Sequence, residues 1–370
     1  MRIVAIAWVL PVAAVLASCA ATTSSAPAAV PAADDGVVDE AYQLRIRGKV
    51  DEARTLLEKT VETAPDHAAA HYELARTKMH MALGNPEDLA TKLADAQESA
   101  DQAVARDSQK VMYHSFAAQV AYFRAYLALM QGGTDAKEHF TAACSAFEAA
   151  LELEPDYPQV LLYLVELHAS FPETAGADRA KATLYAKKLG GNEVHAAKAK
   201  SILSPDSCGV EFWEKLLAKK PGNADVLEEL GKAHLRNDEV VQAVNQFELA
   251  IVRDPSRTYL FVDLSIHHTF GAMETRQSDR ELFEKHVSAG DAAITRYLES
   301  QPNNPMRAYA LGVKSKYKWA SGDEEQRAAL IEQAVALDPY FSKMTGQPNP
   351  DLFIPPTEVS RNHRYLTRPY

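Results

Sequence analysis

The sequence predicts an all-α fold, an α-solenoid of about eight antiparallel helix pairs. A pattern of small and aromatic residues recurs along most of the 370-residue chain. Three prolines at predicted helix ends, Pro155, Pro221 and Pro255, lie 66 and 34 residues apart, which is close to two repeats and one repeat. Only 16 glycines and 8% aromatic residues disfavour an all-β fold with a turn every ten residues or so.

The clearest repeat covers residues 224–257 and carries small or aromatic residues at helical spacing. These packing positions are Leu230, Gly231, Ala243, Phe247 and Ala250, and Pro255 follows them. Small residues allow two helices to approach closely, and proline cannot continue a helix. The pattern resembles the tetratricopeptide repeat, and the resemblance implies a pair of antiparallel helices.

The same frame places the other helix pairs in order, by small, apolar or aromatic residues and by a final proline. The markers are Ala53, Leu57 and Pro65 in the first pair, Ala96, Ala100 and Ala103 in the second, and Ala143, Phe147, Ala150 and Pro155 in the third. They are Ala180 and Leu184 in the fourth, Ala197, Trp213, Leu216 and Pro221 in the fifth, Pro302 in the seventh, and Leu311, Gly312, Ala334 and Pro339 in the eighth. The array is expected to span residues 35–341.

The N-terminus has the pattern of a secretory signal. Residues 3–16 form an uncharged apolar stretch that is shorter than the roughly 20 residues needed to cross a bilayer. The stretch ends in Leu-Ala-Ser-Cys at residues 16–19, which resembles the lipobox of bacterial lipoproteins. This resemblance implies removal of residues 1–18 and acylation of Cys19, and several acyl chains anchor a protein stably. The alternative is a plain secretory signal cut near Ala17 or Ala21.

The segments on either side of the repeat array have distinct compositions. Residues 19–34 follow the acylation site with small uncharged side chains and are predicted to be a flexible tether. Residue 20 is alanine rather than aspartate. In the lipoproteins that the N-terminus resembles, this implies sorting to the outer membrane of a bacterium with two membranes. Residues 342–370 are rich in proline and end with basic residues, which predicts an extended segment packed on the last repeats. A docking peptide for another protein is the alternative.

The sequence contains no catalytic motif, so neither an enzyme nor a cofactor is expected. The net charge of −11 gives no support to nucleic-acid binding. The repeat frame puts His168, His234 and His268 at a core position, and no metal site is expected. Cys144 and Cys208 are either free or bridged, and the sequence leaves this open.

A partner is expected on the concave face, which the first helix of each pair lines. The frame assigns seven polar or aromatic residues to that face: Tyr72, Arg76, Gln119, Tyr122, Tyr259, Tyr309 and Tyr317. Tyrosines of this kind suit a peptide with apolar anchors. The alternative is that they pack between the first helices.

The resemblance to tetratricopeptide repeats also allows a comparison with a known peptide-binding set of residues. Chaperone-binding members of this family hold a peptide carboxylate with a Lys/Asn/Arg set. The corresponding places of the sixth pair have Asp225, Glu228 and Lys232.

The sequence therefore predicts a non-enzymatic, lipid-anchored scaffold of the cell envelope, facing the periplasm from the outer membrane and binding an envelope protein or peptide. The alternative is an accessory lipoprotein of a periplasmic solute transporter, since the chain resembles the T component of tripartite ATP-independent transporters in its anchor and its irregular repeats.

Overall fold

The computed structural model describes residues 35–344, and these contain sixteen α-helices and no β-strand. The helices follow one another as eight pairs, which confirms the predicted solenoid. The signal, Cys19, the tether and residues 345–370 lie outside the described residues.

The helices belong to two compact units, and the second unit spans Leu189–Ser342. The first unit contains α1 (Asp35–Ile46), α2 (Val50–Thr63), α3 (Ala68–Leu83), α4 (Leu89–Arg106), α5 (Val111–Met130), α6 (Ala136–Leu153), α7 (Pro158–Ser170) and α8 (Arg179–Lys188). The second contains α9 (Glu193–Leu203), α10 (Val210–Lys219), α11 (Ala224–Arg236), α12 (Val240–Arg253), α13 (Leu260–Thr275), α14 (Arg280–Glu299), α15 (Asn304–Ser321) and α16 (Glu324–Leu337).

Proline determines where many second helices end. The second helices α2, α6, α10, α12 and α16 each end two residues before a proline, and these prolines are Pro65, Pro155, Pro221, Pro255 and Pro339. Proline disfavours the helical conformation of the residue before it, so the helix stops there. The prolines used to place the repeats are therefore the physical cause of their boundaries.

The small residues of the second helices form the packing stripe that the sequence predicts. Ala243, Phe247 and Ala250 of α12 are fully buried, as are Ala143, Phe147 and Ala150 of α6. In the fifth pair, Trp213 and Leu216 of α10 join Val194 and Ala197 of α9 and Leu230 of α11 in one hydrophobic cluster. Alanine allows the helices to approach closely, and the ring of Phe147 stacks on that of Tyr163 in the next pair, with centroids 4.9 Å apart.

The predicted register of the fourth pair is wrong. Ala180 and Leu184 of α8 are exposed, with Leu184 exposed to 58%, whereas Ala182 is fully buried. The reason is Tyr185, whose ring stacks on that of His168 with centroids 5.9 Å apart. This contact directs the Ala182 side of α8 toward α7, a shift of two residues from the predicted face.

Within residues 35–344, no helix has both the length and the apolar character needed to cross a membrane.

Candidate binding site

Buried charges in the described part of the chain follow a simple rule. Every buried Arg, Lys, Asp or Glu that lies within an α-helix there is on the first helix of its pair. Burying a charge is costly unless the charge is paired. Apolar side chains alone can hold the two helices of a pair together. The first helices therefore carry the side chains from which a binding site can be built.

The seven residues predicted to line an exposed concave face are all buried. They are Tyr72, Arg76, Gln119, Tyr122, Tyr259, Tyr309 and Tyr317. The expectation that they form a solvent-facing surface is wrong, most clearly for Arg76, which is exposed to only 1%. Their role in binding a partner stays a prediction.

In the first unit, these side chains are buried by contacts between successive first helices. The Tyr72 ring on α3 lies 5.0 Å from that of Tyr113 and 5.5 Å from that of Phe116, both on α5. The Tyr122 hydroxyl on α5 donates a hydrogen bond to Glu166 on α7 over 3.2 Å. First helices thus pack on one another through aromatic rings, the alternative that the sequence left open.

Two tyrosines of the second unit are buried in the same way. The Tyr317 hydroxyl on α15 donates to the Ser265 carbonyl on α13 over 2.5 Å. Gly290 of α14 makes room for the Tyr317 ring, since a Cβ at position 290 would collide with it. The Tyr259 hydroxyl donates to Glu228 Oε2 over 2.6 Å.

A pair of arginines in the first unit shares one carboxylate. Arg45 Nε at the end of α1 donates to Glu73 Oε1 over 2.7 Å, and Arg76 Nη1 donates to Glu73 Oε2 over 2.9 Å. Both guanidinium groups also lie near the ring of Tyr42, at 5.8 and 6.0 Å from its centroid. We call Arg45, Glu73 and Arg76 the arginine pair site.

Arg45 in this site uses only part of its hydrogen-bonding capacity. Its side chain is exposed to 0%, and within residues 35–344 the structure gives no hydrogen-bond partner to its Nη1 or Nη2 atom. Burial lowers the pKa of Arg45, and the attraction of Glu73 does not make up for this loss of hydration.

A second buried arginine, in the second unit, is fully surrounded by carboxylates. Arg257 donates to Asp225 and Asp254 over 3.0 Å each and to Glu228. Burial opposes the charge of Arg257, but Glu228, Tyr259 and Asp225 raise its pKa above the usual value. We call Arg257 with its three carboxylates the Arg257 cluster.

Lysines complete the charge balance around the Arg257 cluster. Lys198 of α9 contacts Asp225 over 3.1 Å, and Lys232 of α11 contacts Glu228 and, over 2.8 Å, Glu229. Burial alone would raise the pKa of Asp225, whereas Lys198 and Arg257 lower it to about 2. The acidic places seen in the sequence are therefore neutralised by cations 27 and 32 residues away from Asp225, too far for a local pattern to reveal.

Cys144 and His168 lie together in the first unit, with Sγ 3.7 Å from Nε2. The pairing resembles a catalytic dyad, but burial raises the pKa of Cys144 to about 12 and lowers the pKa of His168. The thiol therefore keeps its proton, and the thiolate needed for nucleophilic attack does not form near neutral pH. Cys144 and Cys208 are both buried free thiols.

The core position predicted for His168, His234 and His268 is confirmed, since all three are buried. His268 Nδ1 of α13 lies 3.1 Å from His286 Nδ1 of α14, and the His267 ring is 5.4 Å from that of His268. In the described part of the chain, no three His, Cys, Asp or Glu side chains are placed to hold a metal ion.

Comparison with known proteins supports the repeat assignment. Residues 38–80, which contain the arginine pair site, match the tetratricopeptide repeat family model. Comparison with curated protein sequences gives no match. The chain is therefore an α-solenoid that contains a tetratricopeptide repeat, and such repeats generally bind protein partners.

Several solved structures are similar to the chain at low identity. A tetratricopeptide repeat protein from Parabacteroides merdae is 13% identical, with 82% of this chain and 92% of that chain covered and a TM-score of 0.32. MamA is 19% identical over 58% of this chain and 94% of its own, with a TM-score of 0.26. PilW, a widely conserved type IV pilus biogenesis factor, is 13% identical over 73% and 96%, with a TM-score of 0.30. Scores this low support no conclusion about the partners of the chain.

Proposed function

We propose that this protein is a non-enzymatic scaffold of the cell envelope that is anchored by acylated Cys19 and binds a protein or peptide partner through its first helices. The observation that carries the binding role is the restriction of buried helical charges to first helices. Charges in a core add little stability, so their restriction to first helices supports a role for these helices beyond closing the helix pairs.

A scaffold role agrees with the chemistry of the described residues. The Cys144 thiol stays protonated, and the carboxylates of the Arg257 cluster are held by cations rather than placed to exchange protons. A repeat array also presents a long surface, on which a partner can contact several helix pairs at once.

The envelope location is proposed from the sequence. The apolar stretch that ends at Cys19 supports acylation there, and Ala20 supports the outer membrane. The tether of residues 19–34 would then separate the first helix pair from the membrane by an r.m.s. distance on the order of 20 Å.

Photo-crosslinking in the native envelope tests the binding role. A photoreactive residue replaces Gln43, which is exposed on first helix α1, or, as the matched control, Lys59, which is exposed on second helix α2. We expect a discrete adduct from position 43 and none from position 59. Adducts confined to position 59, or the same mixture from both positions, would contradict binding through the first helices.

A further inference from the structure

One exposed surface of the second unit joins two apolar side chains to two cations. Trp319 near the end of α15 and Met273 near the end of α13 are exposed to 47% and 63%. Arg276, the exposed residue that follows α13, has its guanidinium 4.7 Å from the centroid of the Trp319 ring. Lys316 is exposed three residues before Trp319, so the two lie on the same side of α15. We call Met273, Arg276, Lys316 and Trp319 the Trp319 patch.

The cations of the Trp319 patch lack the carboxylate that other cations of α15 have. Lys314 and Lys318 contact Asp291 of α14 over 3.7 and 2.9 Å. Within residues 35–344, the structure pairs neither Lys316 nor Arg276 with an acidic side chain. Burial of its amino group lowers the pKa of Lys316, and no neighbouring carboxylate opposes this change. The amino group has therefore lost hydration without gaining an anion.

The residue types of the Trp319 patch are those that protein interfaces use. Trp, Met and Arg are enriched at interfaces relative to the rest of the protein surface, and Trp and Arg often contribute most of the binding energy. The contact with Trp319 holds the guanidinium of Arg276 in place before a partner arrives, which reduces the cost of ordering it on binding. The patch is therefore a preformed surface with both apolar and cationic parts.

We propose that the Trp319 patch binds a short acidic segment of a partner protein. A large apolar side chain of the segment packs on Trp319 and Met273, and its carboxylates pair with Lys316 and Arg276. An extended peptide carries alternate side chains on one face, roughly 7 Å apart, so a Glu-x-Phe-x-Glu segment presents an apolar group between two carboxylates. The proposal rests on the proposed function, since three of the four patch residues lie on first helices.

The charge of the whole chain favours a short segment over an extended anionic surface. The chain has 50 acidic and 39 basic residues, a net charge of −11. Exposed charges more than about 8 Å apart are largely screened at physiological salt, so acids outside the patch do not prevent a short peptide from binding. An anionic membrane would bring many more negative charges close to those acids. The patch therefore fits an acidic peptide better than a lipid surface.

This surface is not the Lys/Asn/Arg set of the chaperone-binding repeats. The places compared in the sequence lie on α11, and that set holds the carboxylate at the end of a peptide. The Trp319 patch lies at the ends of α13 and α15, and its cations are expected to pair with internal side chains. A peptide with an amidated end should therefore bind.

The experiment measures binding of synthetic peptides to the full-length protein by titration calorimetry. The probe is the acetylated and amidated peptide Gly-Glu-Ala-Phe-Ala-Glu-Gly. It is compared with an analogue that has glutamine in place of both glutamates and with one that has alanine in place of phenylalanine. We expect the probe to bind roughly tenfold more tightly than either analogue, since each analogue removes one kind of contact. Equal affinity for the three peptides would overturn the proposal.

Variants assign the binding to the patch. Lys316→Gln should reduce the preference for the glutamate peptide over the glutamine peptide, and Trp319→Ala should reduce the preference for phenylalanine over alanine. Second helix α8 supplies matched controls, because exposed Leu184 and Lys187 have the same three-residue spacing. Leu184→Ala and Lys187→Gln should keep the wild-type affinities. All four positions are exposed, so each variant is expected to keep the wild-type melting temperature. Equal losses in Lys187→Gln and Lys316→Gln would mean that the attraction is not specific to the patch, which would reject the proposal.

Sedimentation with vesicles of phosphatidylglycerol and phosphatidylethanolamine tests the lipid alternative. If Trp319→Ala weakens vesicle binding but leaves the peptide affinities unchanged, the patch contacts lipid and the proposal is wrong. Peptide results that contradict the proposal leave the scaffold function standing if crosslinks still form at position 43. Absence of those crosslinks with a retained preference for the acidic peptide would instead reject binding through α1 and keep the Trp319 patch as a site.

Discussion

Gly231 on α11 lies directly against the ring of Phe247 on α12, so closely that a Cβ at position 231 would collide with the ring. The ring is fully buried at this contact. Glycine in a helix costs roughly 0.5–1 kcal/mol relative to alanine, so its presence here requires a packing reason. The contact explains why this glycine and this aromatic residue occur together in the best-defined repeat.

The first prediction concerns the ring. Phe247→Ala should lower the free energy of unfolding by about 3–5 kcal/mol, because it leaves a cavity where the ring packs against α11 of the same helix pair. Leu249→Ala on the same helix, at a side chain exposed to 49%, is the matched control and should stay within ~0.5 kcal/mol. Urea unfolding of both variants followed by circular dichroism is the measurement. Similar losses for the two would show that the register of α12 is wrong.

The second prediction concerns the Arg257 cluster. Arg257→Ala should destabilise the protein by about 3–5 kcal/mol near neutral pH, because Asp225, Glu228 and Asp254 would lose their shared cation. Acid should reduce the difference between variant and wild type, because Arg257 helps to hold the pKa of Asp225 at about 2, and without this cation the buried carboxyl is protonated at a higher pH. Chemical unfolding at pH 7 and pH 4 measures it. A loss that does not depend on pH would mean that Arg257 acts through packing alone.

How much of this could be predicted from the sequence depends on the range of the interactions. Helix pairs follow from local spacing, and Ala243, Phe247 and Pro255 placed them correctly. The predicted burial of Leu184 was wrong because the buried face of α8 is determined by contacts of Tyr185 with His168 and Glu148. Both of these residues lie on other helices.

The candidate site was less accessible to sequence analysis than the helices. Arg76 had the pattern of a groove residue, but its charge is paired with Glu73 in the same helix and it is buried. Arg45 is paired with Glu73, 28 residues away, and Arg257 is paired with Asp225 and Glu228, 32 and 29 residues away, so sequence neighbours alone do not reveal these contacts. A buried charge is recognised only when its partners are known.

The third prediction is a loss of stability in acid that originates at His268. Burial, together with His267 and His286, lowers the pKa of His268 from 6.5 to about 4. The unfolded chain therefore takes up a proton that the folded chain refuses, so stability is full above pH 6.5 and falls as the pH drops toward 4. The contribution of this group is about 3 kcal/mol at most.

A variant separates His268 from other acid effects. His268→Gln should flatten the dependence of the unfolding free energy on pH between 6.5 and 4, measured by urea unfolding at several pH values. His114→Gln, which replaces a histidine at the surface of α5, is the control and should leave the wild-type slope. An unchanged slope in His268→Gln would assign the acid sensitivity elsewhere, with His267, whose pKa burial also lowers, as the next group to test.

The last prediction concerns Cys19, on which the proposed anchor depends. Cys19→Ala should leave the helical content unchanged and move the protein from the membrane to the soluble fraction, because Cys19 is the residue that the proposed lipobox would acylate. Cys208→Ala, at a buried thiol of the second unit, is the control and should stay with the membrane.

Ala20→Asp should keep the protein acylated but shift it to the inner membrane, if the sorting rule of lipoproteins applies. Fractionation with mass spectrometry of the N-terminus measures all three variants. A Cys19→Ala protein that lacks residues 1–18 and still sediments with membranes would reject the lipid anchor, and the partner-binding surface would then become the candidate for holding it there.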